Sequence, residues 1–180
     1  MRRSHWTALV VCLLGSALIG CSDKQEERVK ALASADSYAA NGRNDEALIE
    51  YRRATQLDPK DGRIRLKLAR TFLKVGADTD GLREMMRAAD LLPDDVDVQI
   101  EAGNLLLVNN KFEDARTRAE RVLQRQPKSV VAHVLPGNAL AHLKDLDSAM
   151  KDMQAAITAD PSEGIAYIGL GAIQHARGEI

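Results

Sequence analysis

Two helical stripes of apolar residues alternate along this chain, and the pair recurs every 34 residues. In residues 28–61 the first stripe is Val29, Leu32, Ala35, Tyr38 and Ala39. Gly42 interrupts it, as a glycine at a helix C-terminus does. The second stripe is Ala47, Leu48, Tyr51, Ala54 and Leu57, with Asn44 and Asp45 expected to cap its start. Pro59 then stops that helix, because it lacks the N–H the next turn needs. Pro93, Pro127 and Pro161 follow Pro59 at intervals of 34 residues and close similar phrases. A fixed period of this length signals stacked helical hairpins. With each proline at position 32, the units are 28–61, 62–95, 96–129 and 130–163, and a partial unit spans 164–180.

This phase gives every residue a place in its unit. Position 8 holds Ala35, Ala69, Gly103, Gly137 and Gly171, and position 20 holds Ala47, Gly81, Ala115 and Ala149. Position 27 holds Ala54, Ala88, Val122 and Ala156, while the larger position 11 holds Tyr38, Phe72, Leu106 and Leu140. Small residues let helix axes approach, and larger ones fill the gaps beside them. A lone hairpin cannot bury its apolar face, whereas stacking shares it between neighbours. The unit resembles the tetratricopeptide repeat, with the resemblance covering residues 28–180. It implies an all-α, right-handed superhelical solenoid of antiparallel helix pairs: four full repeats and half of a fifth. Gly81, Val122 and Pro136 depart from the family pattern. Pro136, six residues into its helix, leaves the Ala132 carbonyl without its usual donor, and a kink is expected there.

The N-terminus has a different character. Arg2 and Arg3 precede a short apolar run, Ala8 to Ile19, shorter than the roughly 20 residues that span a bilayer. It ends in Leu18-Ile19-Gly20-Cys21, which resembles the lipobox of bacterial lipoproteins. The resemblance implies a signal peptide over 1–20, a covalent lipid on Cys21 and a polar tether over 21–27. Loss of Arg2 and Arg3 takes the net charge from −1 to −3, since residues 1–20 hold no acid. Ser22 does not resemble the inner-membrane retention signal of enterobacteria. The implied location is therefore the cell envelope, lipid-anchored and facing the periplasm, with the outer membrane favoured.

The charge balance offers no basic surface for a polyphosphate backbone, so nucleic acid is not an expected partner. The only cysteines are Cys12 and Cys21, which excludes a disulfide framework or a cysteine metal site in the repeats. His142 and His175 fall at positions 13 and 12 of successive first helices, yet no carboxylate or cysteine at ligand spacing accompanies them. The glycines match no phosphate-cradling loop, and the serines lack a hydrolase elbow. Asp78, Asp80, Asp94 and Asp95 lie at helix starts, where capping accounts for them. No catalytic residues, cofactor or metal are expected, and no enzyme activity.

What remains is a surface. The resemblance implies that the first helix of each pair lines a concave groove for an extended or helical peptide. At positions 5, 9 and 12 of three repeats this selects Leu66, Arg70 and Leu73; Ile100, Asn104 and Leu107; and Val134, Asn138 and Ala141. Position 5 is aliphatic in every unit, from Leu32 to Ile168, and serves either ligand contact or wall packing. Asn104 and Asn138 suit the backbone of a peptide, read without regard to its sequence. The family's carboxylate clamp needs a lysine at position 5, which is absent. The implied function is a non-catalytic, lipid-anchored scaffold holding a protein or peptide partner. Its layout is similar to pilus-assembly lipoproteins and to repeat lipoproteins of exopolysaccharide systems. The alternative is the substrate-docking arm of a larger envelope enzyme, because Ile180 stops halfway through a unit and the helix before it is apolar on several sides.

Overall fold

The structure is a computed structural model that describes the backbone of residues 5–179 and the side chains of residues 23–179. The proposed signal segment and Cys21 lie outside the residues whose side chains are described. The described residues form nine helices and no strand: α1 (His5–Ala40), α2 (Asn44–Leu57), α3 (Gly62–Lys74), α4 (Asp78–Leu91), α5 (Val96–Val108), α6 (Phe112–Arg125), α7 (Val130–His142), α8 (Leu146–Ala159) and α9 (Gly164–Arg177). The all-helical architecture is the one the periodicity implies. Residues 23–27, expected as a tether, are exposed and helical, continuous with the first repeat helix. Among the described residues, no helix is long and apolar enough to cross a membrane.

The 34-residue phase governs the ends of the helices as well as their faces. Helices α3, α5, α7 and α9 begin at residues 62, 96, 130 and 164. The residue before each is the cap. Asp61 accepts from the Arg63 and Ile64 amides, Asp95 from Val98, and Ser129 from Ala132, whereas Glu163 caps nothing. The turn inside each hairpin has a fixed left-handed residue too: Gly42, Gly76, Asn110 and Lys144 all have positive φ. The expected cap at Asn44 or Asp45 does not form, because both already lie inside α2; Arg43 stands at the cap without a side-chain bond. Arg43 instead pairs with Glu46 at 2.7 Å and lies over the Tyr38 ring.

The lattice prolines have a role beyond stopping helices. The Pro59 carbonyl accepts from Arg65 Nε at 2.9 Å, and the Pro127 carbonyl accepts from His133 Nε2 at the same distance. Both donors occupy position 4. The inter-repeat turn is thus tied to the helix that follows it.

Two compact units make up the chain, residues 1–84 and 85–180, with the boundary inside α4. In the first, Ala35, Ala47, Leu48, Tyr51, Leu68 and Phe72 form one cluster, and Ala31, Ala54 and Ile64 another. Arg65 and Glu84 form an ion pair at 2.8 Å, with the Glu84 side chain only 6% exposed. In the second unit, α5, α7 and α9 pack side by side in one layer, with α6 and α8 behind them. Its core joins Val134, Leu140, Ala149, Met153, Ala156, Ile157, Ala166 and Ile173. Buried Gln99 donates to the Ala89 and Leu92 carbonyls, so its polar group is satisfied. Pro136 is buried within α7, which runs unbroken from Val130 to His142. Packing on the surrounding apolar side chains holds the helix together across the missing bond.

Candidate functional site

In the first unit, Asp36 on α1 is the polar centre of the first-helix face. It accepts from Tyr51 Oη at 2.7 Å and from Lys67 Nζ of α3 at 2.7 Å. Burial pushes the Asp36 carboxyl up, but the bonds from Lys67 and Tyr51 outweigh it and hold the carboxyl below its ordinary range. Burial, and then the Asp36 bond, push the Tyr51 phenol up. Of the residues expected in the groove here, Leu66 is buried and Arg70 exposed. Leu73 is half-buried and packs where a side chain on Gly81 would stand.

In the second unit the first-helix layer carries an open cleft between α5 and α7, of ≈ 440 Å³. Ile100 and Asn104 line it, as expected, together with Val96, Asp97, Glu101, Gln126, Ser129 and Val131. Asn104 is exposed and Ile100 half-buried. Val131 stands at position 2 of its repeat, 44% exposed, so the apolar wall on the α7 side is position 2 and not position 5. Val134, at position 5, is 4% exposed and belongs to the core cluster. The position-5 residues therefore divide: Leu66 and Val134 are buried in the packing behind the surface, and Ile100 reaches the cleft. Leu107 is half-buried and lines neither cleft of this layer. Asn138 and Ala141 line a separate, smaller pocket between α7 and α9. Val96, Asp97, Glu101, Gln126, Ser129 and Val131 were not among the residues expected from the sequence. Position 2 is a usual contact position of the repeat family that the sequence resembles, but nothing in the helix phase told which rung the cleft would open on.

The His142 ring stacks on Phe112, centroids 4.7 Å apart and planes within 4°. Among the described residues no three His, Cys, Asp or Glu side chains converge as metal ligands. The α5–α7 cleft offers aliphatic contact from Val96, Ile100 and Val131, side-chain amides from Asn104 and Gln126, and the carboxylates of Asp97 and Glu101.

Residues 35–76 match a family model described as TPR repeat, and residues 100–164 match one described as tetratricopeptide repeat. Over these two stretches the chain carries tetratricopeptide repeats. No curated protein matches it by sequence. Among solved structures, the repeats are similar to a MamA protein at 18% identity, with a TM-score of 0.75 over 86% of this chain and 84% of that one. MamA 41-end from Desulfovibrio magneticus RS-1 gives 18% identity and a TM-score of 0.72 over 84% and 86% of the two chains. MamA AMB-1 gives 23% identity and a TM-score of 0.68 over 86% and 84%. At such identities the likeness establishes the repeat solenoid fold. Repeats of this kind generally present a surface to protein partners.

Proposed function

We propose that this chain is a non-catalytic scaffold, lipid-anchored through Cys21 in a bacterial cell envelope. It holds an extended segment of a protein partner on the first-helix layer and serves the assembly or export of a surface structure. The observation that carries the binding role is the α5–α7 cleft, where half-buried Ile100 and exposed Val131 flank the exposed amide of Asn104. An aliphatic floor with an amide at its edge suits an extended peptide, which offers alternate side chains and unpaired backbone groups. The anchor reading rests on Leu18-Ile19-Gly20-Cys21 after a short apolar run.

A photo-crosslinking side chain at Asn104 tests the cleft in cells. It should capture a discrete partner, and Ile100→Glu in the same chain should abolish the capture. Equal capture from exposed Glu120 on the outer helix α6 would overturn the reading. Membrane fractionation of Cys21→Ala tests the anchor: the variant should leave the membrane fraction, and retention as firm as the wild type's would remove the lipid claim.

A further inference from the structure

Position 4 of three repeats ties the turn before it to the second helix after it. Arg65 donates to the Pro59 carbonyl at 2.9 Å and to the Glu84 carboxylate at 2.8 Å. Gln99 donates to the Ala89 and Leu92 carbonyls and accepts from Arg118 Nη1 at 3.2 Å. His133 donates from Nε2 to the Pro127 carbonyl at 2.9 Å. Glu84, Arg118 and Asp152 share position 23 of their repeats. Arginine keeps its charge and glutamine has none, but histidine changes charge between about pH 5 and 8. We propose that His133 is a proton-operated latch on the Pro127 turn, which tightens that corner of the α5–α7 cleft in mild acid and loosens it as pH rises.

The ring has one place for the proton. A carbonyl only accepts, so Nε2 carries the hydrogen and the neutral ring leaves Nδ1 as a lone-pair acceptor. Nδ1 is buried and has no hydrogen-bond partner among the described residues. A proton there turns an unpaired acceptor into a donor and makes the ring a cation. The bond from Nε2 to the Pro127 carbonyl then becomes charge-assisted, roughly twice as strong as the neutral one.

The counter-charge is in place. Asp152 of α8 is half-buried; burial pushes its carboxyl up and His133 draws it down. The charged ring and the charged carboxylate favour each other, so the two titrate as a pair. From α6, Arg116 and Glu120 act on Asp152 in opposite senses and pair with each other at 3.3 Å. Asp97 and Glu101 of α5 line the cleft, which His133 does not. Helix α9 brings no Asp, Glu, Lys or Arg before Arg177, which pairs with Asp147 at 2.9 Å. Lys128 on the turn is exposed. Where folding favours the protonated pair, its contribution is present in acid and lost as pH rises.

The turn matters because Gln126 and Ser129, on either side of Pro127 and Lys128, line the α5–α7 cleft. The latch stands without reference to any partner. Its effect on a partner rests on the peptide-holding role proposed above.

Amide hydrogen exchange of the full chain, corrected for the intrinsic pH dependence of exchange, tests the latch at Ser129, whose amide donates to the Gln126 carbonyl at 3.0 Å. Asp61 is the internal control: it donates to the Asp58 carbonyl at the same place in the turn that Arg65 ties. From about pH 5.5 to about pH 8 the protection of Ser129 should fall roughly three- to tenfold while that of Asp61 holds. His133→Arg should keep Ser129 protected at both pH values, His133→Gln should leave it low at both, and Asp152→Asn should flatten the response. A wild-type Ser129 that tracks Asp61, or a pH response that survives in His133→Arg, would overturn the latch. Crosslinking from Asn104, run on membranes at the two pH values, tests the effect on a partner. Capture that falls with rising pH in the wild type and not in His133→Arg is expected, and equal capture at both overturns the coupling. Capture at neither removes the peptide-holding role, while the Ser129 readings still decide the latch.

Discussion

A methyl group of Leu135 on α7 occupies the space that a side chain on Gly103 of α5 would need. Position 8 of one repeat is thereby fitted to position 6 of the next. Gly103→Ala should cost roughly 1–3 kcal/mol of stability through overpacking, read from urea unfolding. Leu135→Ala leaves a cavity and costs about 2–5 kcal/mol. The double variant should be less destabilised than the sum of the two, because alanine at 135 makes room for the new methyl. Strict additivity would mean that the two residues do not share this space.

Ala149 is fully buried, and its carbonyl lies 3.3 Å from where a Cβ on Gly137 would stand. Ala149→Leu should cost roughly 1–3 kcal/mol. Gly137→Ala should cost less, since its nearest neighbour is the mobile end of Met153 at 2.9 Å. Urea midpoints of the two variants, compared at equal slope, check the order.

Glu163 precedes α9 in the place where Asp61, Asp95 and Ser129 cap α3, α5 and α7, yet makes no capping bond. Its side chain is one carbon too long to turn back onto the first amides. Glu163→Asp should stabilise α9 by about 1 kcal/mol, seen as slower amide exchange in its first turn.

Lys144 holds φ +63°, where Gly42 and Gly76 stand in the first two hairpins. A non-glycine residue in that region costs about 1–2 kcal/mol. Lys144→Gly should therefore raise stability by several tenths to about 1 kcal/mol, once glycine's larger unfolded-state entropy is counted. A fall in the thermal midpoint would refute this.

Two carboxylates should respond to pH in opposite senses. Burial pushes the Asp152 carboxyl up, opposed by His133, reinforced by Glu120 and opposed again by Arg116. A carboxyl raised by folding stabilises most when protonated, so its contribution falls as pH rises from the unfolded value through the folded one. Asp152→Asn should then gain over the wild type at neutral pH, with the gain shrinking in acid. Asp36 is held down despite its burial, by Lys67 and Tyr51. Its contribution is present above the unfolded value and is lost as pH falls through the folded one. Asp36→Asn should be less stable than the wild type at neutral pH, with the deficit closing in acid. Chemical unfolding of both variants at several pH values decides.

The spacing of Pro59, Pro93, Pro127 and Pro161 by itself determined the helix pairs, their phase and the small residues at their crossings. It could do so because burial in a repeat depends on local helical periodicity, which is written along the chain. The resemblance to the tetratricopeptide repeat implied that Ile100 and Asn104 face a shared groove. Only the tertiary structure decided that Leu66 and Val134, at the same position as Ile100, are buried and do not line the cleft. Exposure at that position depends on how the neighbouring repeat packs, through residues far along the chain, such as Leu135 against Gly103, 32 residues before it. The same holds for the Asp36–Lys67 pair and the pocket at His142. Each is made by side chains that share a helical position rule but meet only when neighbouring repeats pack.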